Sequence, residues 1–426
     1  MAPSDSASAS TGMSTGMRRM AMTGVDEQPR IPAQEFAARR ARAAARASEL
    51  GFRGLIVWSR GGATYDNFGD VLYLTNHYGP FPWINDKPPL WSGRSHSAVV
   101  LTADGASELV TDVTDWRADL VNVDAVHADR NLYRGVIDTA RKHGLDEGDV
   151  GLVGLEAMPA SAYRALVAGL PAANLHDADD LVMQLRMEKS DAEIAMLRYS
   201  AKVGAAITRA MMEQVEPGNT DGDLAAAALS IGARIPGVAQ WDIPLASGSC
   251  SGHFQYARLP SWDAATPYAI GDIVHPDNYG YANGYIYDIV RTRVAGDHPA
   301  DWQTEIIDGA AGCVRAVIGA MRVGITAGEL FDVGKAYLIE NGFTDEVAFN
   351  TSFPCFGHQD GHAFDDPWLA RNTPDEGVAV AAGTVWSIEI QVGRNGRAAG
   401  FEDMVVVNRD GSVEILTEDL PVRWGY

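Results

Sequence analysis

The chain has 426 residues, a formal net charge of −22 and a hydrophobic fraction of 46%, which describe an acidic globular protein. This length predicts two domains, because a single hydrophobic core seldom serves more than about 250–300 residues. The negative charge argues against nucleic acid as a partner, and no apolar run is long enough for a membrane span. Three cysteines without a CxxC pair argue against a disulfide framework and favour a cytoplasmic protein.

The first part of the chain predicts a disordered segment followed by an α/β domain. Residues 1–30 are rich in Ser, Ala, Met and Thr and show no sustained periodicity, so we predict disorder there. Residues 31–185 alternate helical patterns with short apolar runs, which predicts an α/β domain. The predicted helices cover 32–50, 130–143 and 160–169, and the predicted strands cover 54–60, 71–76, 97–102 and 150–154.

A second domain is predicted over residues 186–426. The phrase MEKSDAEI places Ser190 three residues before Glu193, which is the spacing of a helix capping box. The phrase GNTDGDL around Thr220 returns as GITAGEL around Thr326, 106 residues later. Both copies predict a glycine at the end of one helix and a threonine that caps the next. Either two common capping phrases coincide, or this domain is a duplicated α/β unit.

Five residues of the second domain have the character of metal ligands. They are Asp277, Asp288, His358, Glu389 and Glu402. Most of them lie in apolar, strand-like segments, where an unpaired carboxylate is costly. Asp277 and Asp288 flank the turn-forming segment YGYANGY, which predicts a hairpin with one carboxylate on each strand. Two divalent cations bridged by carboxylates would compensate these charges and could activate water.

The order of these five residues resembles that of the pita-bread metallopeptidases, which include methionine aminopeptidase, Xaa-Pro aminopeptidase, prolidase and creatinase. The phrases MEKSDAEIAMLR, GYIYDIVRT and FED add to the resemblance over roughly residues 185–410. It implies a creatinase-like amino-terminal α/β domain and a catalytic domain with pseudo-twofold symmetry. It also implies that Asp288 and Glu402 bridge two ions, that Asp277 completes one site, and that His358 and Glu389 complete the other.

Three further residues are candidates for catalysis. The resemblance implies that His253 contacts the substrate. Relatives carry a second histidine seven residues after the ligand histidine, where this chain has Asp365. A carboxylate there cannot donate a hydrogen bond unless it is protonated, but it could bind a cationic group or act as a general base. His362 could supply the missing imidazole. Ile390 and Gly400 replace a proline and an arginine of the relatives, which argues against standard proline-peptide processing.

An aromatic segment of the amino-terminal domain, HYGPFPWINDKPPLWSGRSH, either packs in a core or covers a substrate pocket. It supplies Trp83, Trp91 and Arg94 as candidate substrate-binding residues, and Tyr256 is a fourth. Creatinase-like architecture implies a homodimer in which this segment lies near the partner's pocket. Aromatic walls suit an aromatic ligand or a quaternary or sulfonium cation.

The expected activity is hydrolysis of a C–N bond in a small or modified amide or a short peptide. The expected cofactor is a pair of Mn, Fe, Co or Zn ions. Alternatives are a lyase of the dimethylsulfoniopropionate-lyase type and an Xaa-Pro aminopeptidase or dipeptidase. A metal-free binding protein is disfavoured, because all five ligand residues are present.

Overall fold

The computed structural model describes residues 28–62, 67–79, 87, 90–240, 243–252, 260–343, 355–394 and 396–425. The segment predicted to be disordered therefore lies almost entirely outside the described residues. The amino-terminal part contains helices α1 (Ala33–Glu49), α2 (Gly69–Thr75), α3 (Leu132–Lys142), α4 (Ala160–Gly169) and α5 (Asp179–Met187). Its strands are β1 (Gly54–Arg60), β2 (His96–Thr102), β3 (Ser107–Thr111), β4 (Ala125–Ala128), β5 (Glu147–Val153) and β6 (Ala172–Asp177).

These strands form one mixed six-stranded sheet in the order β4-β3-β2-β1-β5-β6. Central strand β1 is buried on both faces: Ile56 and Trp58 pack with α3 and α4, whereas Leu55 and Val57 pack with α1, α2 and α5. The sequence of a strand that is covered on both faces is a continuous apolar run rather than an alternating one. The predicted α/β class of this domain is confirmed.

The predicted strand at 71–76 is wrong, because these residues belong to helix α2. The Thr75 hydroxyl donates to the Val71 carbonyl at 2.7 Å, four residues back along the helix. Asn76 ends the helix in the left-handed conformation, with φ of 59°, and its N–H donates to the Leu72 carbonyl at 2.8 Å. Every residue of α2 except Asp70 is buried, so the run from Val71 to Thr75 has no polar face. Without a polar face, hydrophobic periodicity cannot separate a short helix from a strand.

The carboxy-terminal part contains helices α6 (Asp191–Met212), α7 (Asp221–Gly232), α8 (Asp301–Ala320) and α9 (Ala327–Glu340). Its first strands are β7 (Val238–Ala239), β8 (Leu245–Ser247), β9 (Ile273–Ala282), β10 (Tyr285–Val290) and β11 (Arg293–Val294), and all of them join one five-stranded sheet around β9. Strands β12 (Cys355–Asp360), β13 (Phe364–Ala370), β14 (Thr384–Arg394), β15 (Arg397–Val407) and β16 (Val413–Ile415) form a second sheet in the order β13-β12-β14-β15-β16. Helices α6 and α7 pack on the first sheet and α8 and α9 on the second.

The repeated phrases cap equivalent helices of the two halves, as predicted. Thr220 is the N-cap of α7 and Thr326 is the N-cap of α9. In each case the backbone N–H of the threonine donates to the acidic side chain three residues later, Asp223 or Glu329, at 2.8 Å. The glycines of the phrases do not end the preceding helices. They lie in the connecting turns, where Gly218 and Gly324 adopt φ of 94° and 90°.

Two buried arginines join the amino-terminal and carboxy-terminal parts. Arg39 of α1 reaches the Glu193 carboxylate at 3.2 Å, and Glu193 also completes the predicted capping box with Ser190. Arg186 of α5 bonds to Asp70 of α2 at 2.8 Å and to Asp365 of β13 at 2.5 Å. The predicted domain boundary at 185/186 lies inside α5 and stays a prediction. No described helix is both long and apolar enough to span a membrane.

Candidate metal centre

Strands β9 and β10 form the predicted hairpin and bring its two aspartates to one face. Asp288 pairs with Tyr279 and Asp277 pairs with Val290, so the aspartates are diagonal neighbours in the ladder. Residues two apart on a strand share a face. Both side chains are buried.

The second sheet contributes two glutamates in direct register. Glu389 of β14 lies opposite Glu402 of β15, within a ladder that continues along both strands. The side chains of both glutamates are buried. Like charges directly opposite each other destabilise an antiparallel pair. Two buried glutamates in this position therefore require protons or a cation between them.

His358 lies on β12, at a register irregularity between β12 and β13. Its Nε2 lies 3.6 Å from the Asp288 carboxylate. Its Nδ1 lies 3.0 Å from the Gln359 carbonyl oxygen and 3.3 Å from the Asp360 carboxylate. Because both partners of Nδ1 are acceptors, that nitrogen carries the proton and donates. Asp360 is held in turn by the Ser387 hydroxyl at 2.8 Å. A carboxylate behind a histidine in this way typically orients the imidazole of a metal ligand.

Burial and mutual repulsion dominate the electrostatics of the cluster. Burial, and then the neighbouring carboxylates, raise the pKa of Asp277 and of Glu402 well above their ordinary values. Burial likewise raises the pKa of Glu389 to about 7. For His358, burial opposes the charged form, but hydrogen bonds to Asp288 and Asp360 outweigh it and raise the pKa well above 6.5. The cluster thus binds protons tightly when no other cation neutralises it.

Unpartnered oxygens show that the cluster fits a cation. Within the described residues, Asp288 Oδ1 and both carboxylate oxygens of Glu402 are buried without a hydrogen-bond partner. One ligand atom each from Asp288, His358 and Glu402 lie within 4.8 Å of one another. Carboxylate oxygens with one imidazole nitrogen form a donor set that suits divalent transition metals.

Aromatic rings surround the imidazole. The ring centroids of Phe364 and Trp368 lie 4.9 and 4.7 Å from that of His358. Tyr279 of β9 meets Phe364 at 5.8 Å. Phe364 and Trp368 are only partly buried, whereas His358 is buried. The rings therefore shield the imidazole from solvent on the side of β13.

Asp365, which stands where relatives have the second histidine, takes part in a buried ion network. Its carboxylate contacts Arg186 Nη2 at 2.5 Å and Lys189 Nζ at 3.4 Å, and all three side chains are almost fully buried. Lys189 also donates to the Gln359 side-chain oxygen at 2.8 Å. Each Asp365 oxygen therefore has a cationic partner, which favours an anchoring role for this residue over acceptance of a proton from substrate.

His362 lies at the turn after β12 and contacts the tip of the β9–β10 hairpin. Its Nδ1 is 2.7 Å from the Gly284 carbonyl oxygen, and its ring centroid is 4.3 Å from that of Tyr285. The other nitrogen is buried without a hydrogen-bond partner in the described residues. His362 lines a cavity of about 850 Å³ that the amino-terminal domain also lines. Burial lowers its pKa well below 6.5, so the imidazole is neutral.

The candidate substrate-binding residues are placed only in part. Arg94 lies over the Trp91 ring at 5.0 Å and 3.8 Å from Asp112, so these contacts lie within the amino-terminal domain. Trp83, Tyr256 and the candidate catalytic residue His253 lie outside the described residues.

Sequence reasoning missed the residues that support the centre from behind. Asp360 was not singled out, although it follows His358 by two positions. Arg186 and Lys189 lie in or next to a phrase that carried the family resemblance, but neither was assigned a role. Their partner Asp365 lies more than 170 residues away along the chain. Only the folded structure shows that the three side chains are in contact.

The model of metallopeptidase family M24 matches residues 195–409, which is half of the chain and includes all five ligand candidates. The chain belongs to this family. The creatinase/prolidase N-terminal domain matches residues 39–188. The M24 family implies the use of divalent metal. In this M24 chain, the fold and the amino-terminal domain expected from the resemblance are confirmed.

Several curated relatives of this M24 chain are named as dipeptidases. A probable dipeptidase PepE of Mycobacterium tuberculosis is 28% identical over 250 residues, covering 56% of this chain and 60% of the relative. An Xaa-Pro dipeptidase of Pyrococcus horikoshii is 27% identical over 241 residues, covering 55% of this chain and 64% of the relative. The chain thus spans less than two thirds of the length of these relatives.

Solved structures show the same fold. The prolidase of Pyrococcus horikoshii has a TM-score of 0.72 at 17% identity, covering 89% of this chain and 98% of that one. An Xaa-Pro dipeptidase of Bacillus anthracis has a TM-score of 0.71 at 21% identity, covering 92% of this chain and 98% of that one.

Proposed function

We propose that this protein is a dinuclear metal-dependent hydrolase that cleaves the amide bond of a short peptide, with dipeptides as the substrate class. One observation carries the proposal: buried carboxylate oxygens of Asp288 and Glu402 have no described hydrogen-bond partner and lie beside the imidazole of His358. The names of two of the curated relatives, a probable dipeptidase and an Xaa-Pro dipeptidase, suggest the substrate class.

The residues would divide the work as the resemblance implies. Asp288 and Glu402 would bridge two ions, Asp277 would complete one site, and His358 and Glu389 the other. The ions, drawn from Mn, Fe, Co or Zn, would supply a water nucleophile of lowered pKa and polarise the scissile carbonyl. Asp360 would fix the tautomer of His358, and the rings of Phe364 and Trp368 would keep bulk water from that imidazole.

Xaa-Pro dipeptides should be poor substrates. Relatives that process them carry a histidine where Asp365 lies and often an arginine where Gly400 lies. Asp365 is engaged by Arg186 and Lys189. A Cβ atom at Gly400 would lie 2.6 Å from the Val290 side chain, so β15 packs too closely there for a larger residue. An Xaa-Pro substrate would find neither of these two donors in this cleft.

We extend the proposal to a cytoplasmic homodimer. Leu90, beside Trp91, is 60% exposed. We propose that the amino-terminal segment that contains both residues lies near the substrate pocket of the partner subunit. Light scattering at micromolar concentration should give twice the mass of the chain. A monomer under those conditions would contradict the proposal that Trp83, Trp91 and Arg94 bind substrate in the pocket of a partner subunit.

The function is tested with protein stripped by a chelator and reloaded separately with Mn²⁺, Co²⁺, Zn²⁺ and Fe²⁺. Dipeptides with varied side chains, an Xaa-Pro series and amidated dipeptides are assayed for released amine. We expect hydrolysis only by the metal-reloaded protein, and we expect Xaa-Pro dipeptides to be hydrolysed much more slowly than the other dipeptides. Loaded protein that binds two ions yet cleaves no amide would overturn the proposal. The named relatives lend no support to the lyase alternative, and release of dimethyl sulfide in a parallel assay would revive it.

A further inference from the structure

The two sheets of the catalytic domain meet along strands β10 and β15. Asp288 lies on β10 and Glu402 lies on β15, so the two proposed bridging ligands come from opposite sides of this seam. Strand β10 pairs with β9, and β15 pairs with β14 and β16. Among the described residues, which include both strands entirely, no backbone ladder joins β10 to β15. The backbone N–H of Ile286 on β10 donates to the Gly361 carbonyl after β12 at 2.9 Å, but at the level of Asp288 and Glu402 the described hydrogen bonds across the seam involve side chains.

Arg291, which directly follows β10, crosses this seam. Its Nη1 donates to the backbone carbonyl of Glu402 itself, and its Nη2 donates to the Asp403 carboxylate at 2.6 Å. The guanidinium also lies 4.1 Å from the centroid of the Phe401 ring. One side chain thus contacts three consecutive residues of β15, with the ligand in the middle. Arg291 is fully buried, so these contacts are not exchanged with solvent.

Thr292 crosses the seam next to it with a reciprocal pair of hydrogen bonds. Its hydroxyl donates to the Gly400 carbonyl at 2.8 Å and accepts from the Gly400 N–H at 3.0 Å. A threonine that both donates to and accepts from one residue replaces the two bonds of a backbone pair. The close packing of Gly400 against Val290 holds the strands together at the same level.

We propose that Arg291 and Thr292 are positioning residues for the metal pair, because they set the distance between Asp288 and Glu402 across a seam that lacks a backbone ladder. The inference rests on the proposed dinuclear site. Neither residue is among the five proposed metal ligands. Asp403 is the anchor of the arrangement: it also accepts from the Thr417 hydroxyl at 2.7 Å and lies 3.1 Å from Arg315.

The experiment loads purified protein with Mn²⁺ and reads the electron paramagnetic resonance spectrum, because two Mn²⁺ ions that share bridging carboxylates are exchange-coupled. Calorimetric titration measures the affinity for each ion. In Arg291→Lys a single ammonium cannot bond to Glu402 and Asp403 in the same fork geometry. We expect a spectrum of uncoupled Mn²⁺ and an affinity for the second ion reduced about 10–100-fold.

Arg293→Lys is the matched control. Arg293 lies two residues further along, is buried to a similar degree, and bonds to the Met212 carbonyl at 2.6 Å and to Glu216 and Asp297. None of its described hydrogen bonds or ion pairs reaches β15. We expect its variant to lose thermal stability comparably while keeping the coupled spectrum. A merely structural role for Arg291 would give the two variants the same spectra.

Thr292 provides a milder test if Arg291→Lys fails to fold. Thr292→Val removes both bonds to Gly400, and Thr292→Ser restores the hydroxyl. The valine variant should lose coupling and the serine variant should regain it. Coupled spectra in both Arg291→Lys and Thr292→Val would overturn the inference. Absence of any coupled pair in the unaltered protein would instead overturn the dinuclear site.

Discussion

Glu389 and Glu402 face each other across strands β14 and β15, buried and in direct register. Two adjacent strands that place glutamates opposite each other pay an electrostatic cost in the absence of a counter-charge. The first sheet adds Asp277 and Asp288 from the facing side of the cleft. Because four carboxyl groups share this electrostatic cost, the stability of the protein depends on whether protons or metal cations neutralise them.

Removal of a bridging ligand should empty the centre. Asp288→Ala and Glu402→Ala should each lower the metal content from about two ions to none per chain, because each carboxylate is proposed to bind both ions. Metal analysis after dialysis against a trace of Mn²⁺ or Zn²⁺ measures the stoichiometry. Asp332→Asn, which removes a half-exposed surface carboxylate paired with Arg371, is the control and should retain both ions. Full metal content in Asp288→Ala would refute the ligand assignment.

Metal-free protein should become more stable when a glutamate of the centre is neutralised. The folded-state pKa of Glu389 is about 7, above its ordinary value of 4.5. Folding therefore takes up a proton here, and stability is lost as pH rises from 4.5 through 7. At pH 8, metal-free Glu389→Gln should exceed the metal-free parent in stability by about 3 kcal/mol. The order should reverse once metal is added, and thermal melts with and without chelator compare the four states.

The advantage of Glu389→Gln should disappear at pH 5, where the parent carboxyl is already protonated. An equal advantage at pH 5 and pH 8 would show that packing, and not charge, separates the two proteins.

Loss of the Asp365 carboxylate should cost stability without loss of metal. Asp365→Asn leaves Arg186 and Lys189 buried with one counter-charge fewer, which typically costs about 3–5 kcal/mol. Chemical unfolding followed by circular dichroism measures this cost. Glu414→Gln, which removes a half-exposed pair with Arg198, should cost less than about 1 kcal/mol. Asp365→His should also lower the native activity while two ions remain bound.

An outcome in which Asp365→Asn is as stable as the parent would contradict the anchoring role. A large loss of activity at unchanged stability would instead favour a direct role of the carboxylate in catalysis.

Acid should destabilise the amino-terminal domain through His77. Burial alone lowers the pKa of this histidine to about 4, and its Nε2 is buried without a described partner. Its contribution to stability is complete above pH 6.5 and is lost as pH falls towards 4. Between pH 7.5 and pH 5, His77→Phe should lose about 2 kcal/mol less than the parent protein. Unfolding curves at the two pH values test this, and identical losses would show that His77 is not a source of acid lability.

The helix caps and the hairpin were predicted correctly because they depend on residues close together in the sequence. The capping boxes at Ser190, Thr220 and Thr326 lie where the sequence placed them, because a capping box depends on residues only three positions apart. The β9–β10 hairpin was equally readable from its turn residues. The buried run at 71–76 was not, since helix and strand look alike in a segment with no polar face.

The sequence by itself determined the α/β class, the two-part organisation, the duplicated capping phrases and a set of five ligand candidates in family order. The tertiary structure alone decided which charges compensate which. The partners Arg186 and Asp365 are separated by 179 residues, and Arg291 and Asp403 by 112. Such pairs leave no periodic signal, because the energy of a buried ion pair depends on distance and solvent exclusion in the folded state, not on spacing along the chain.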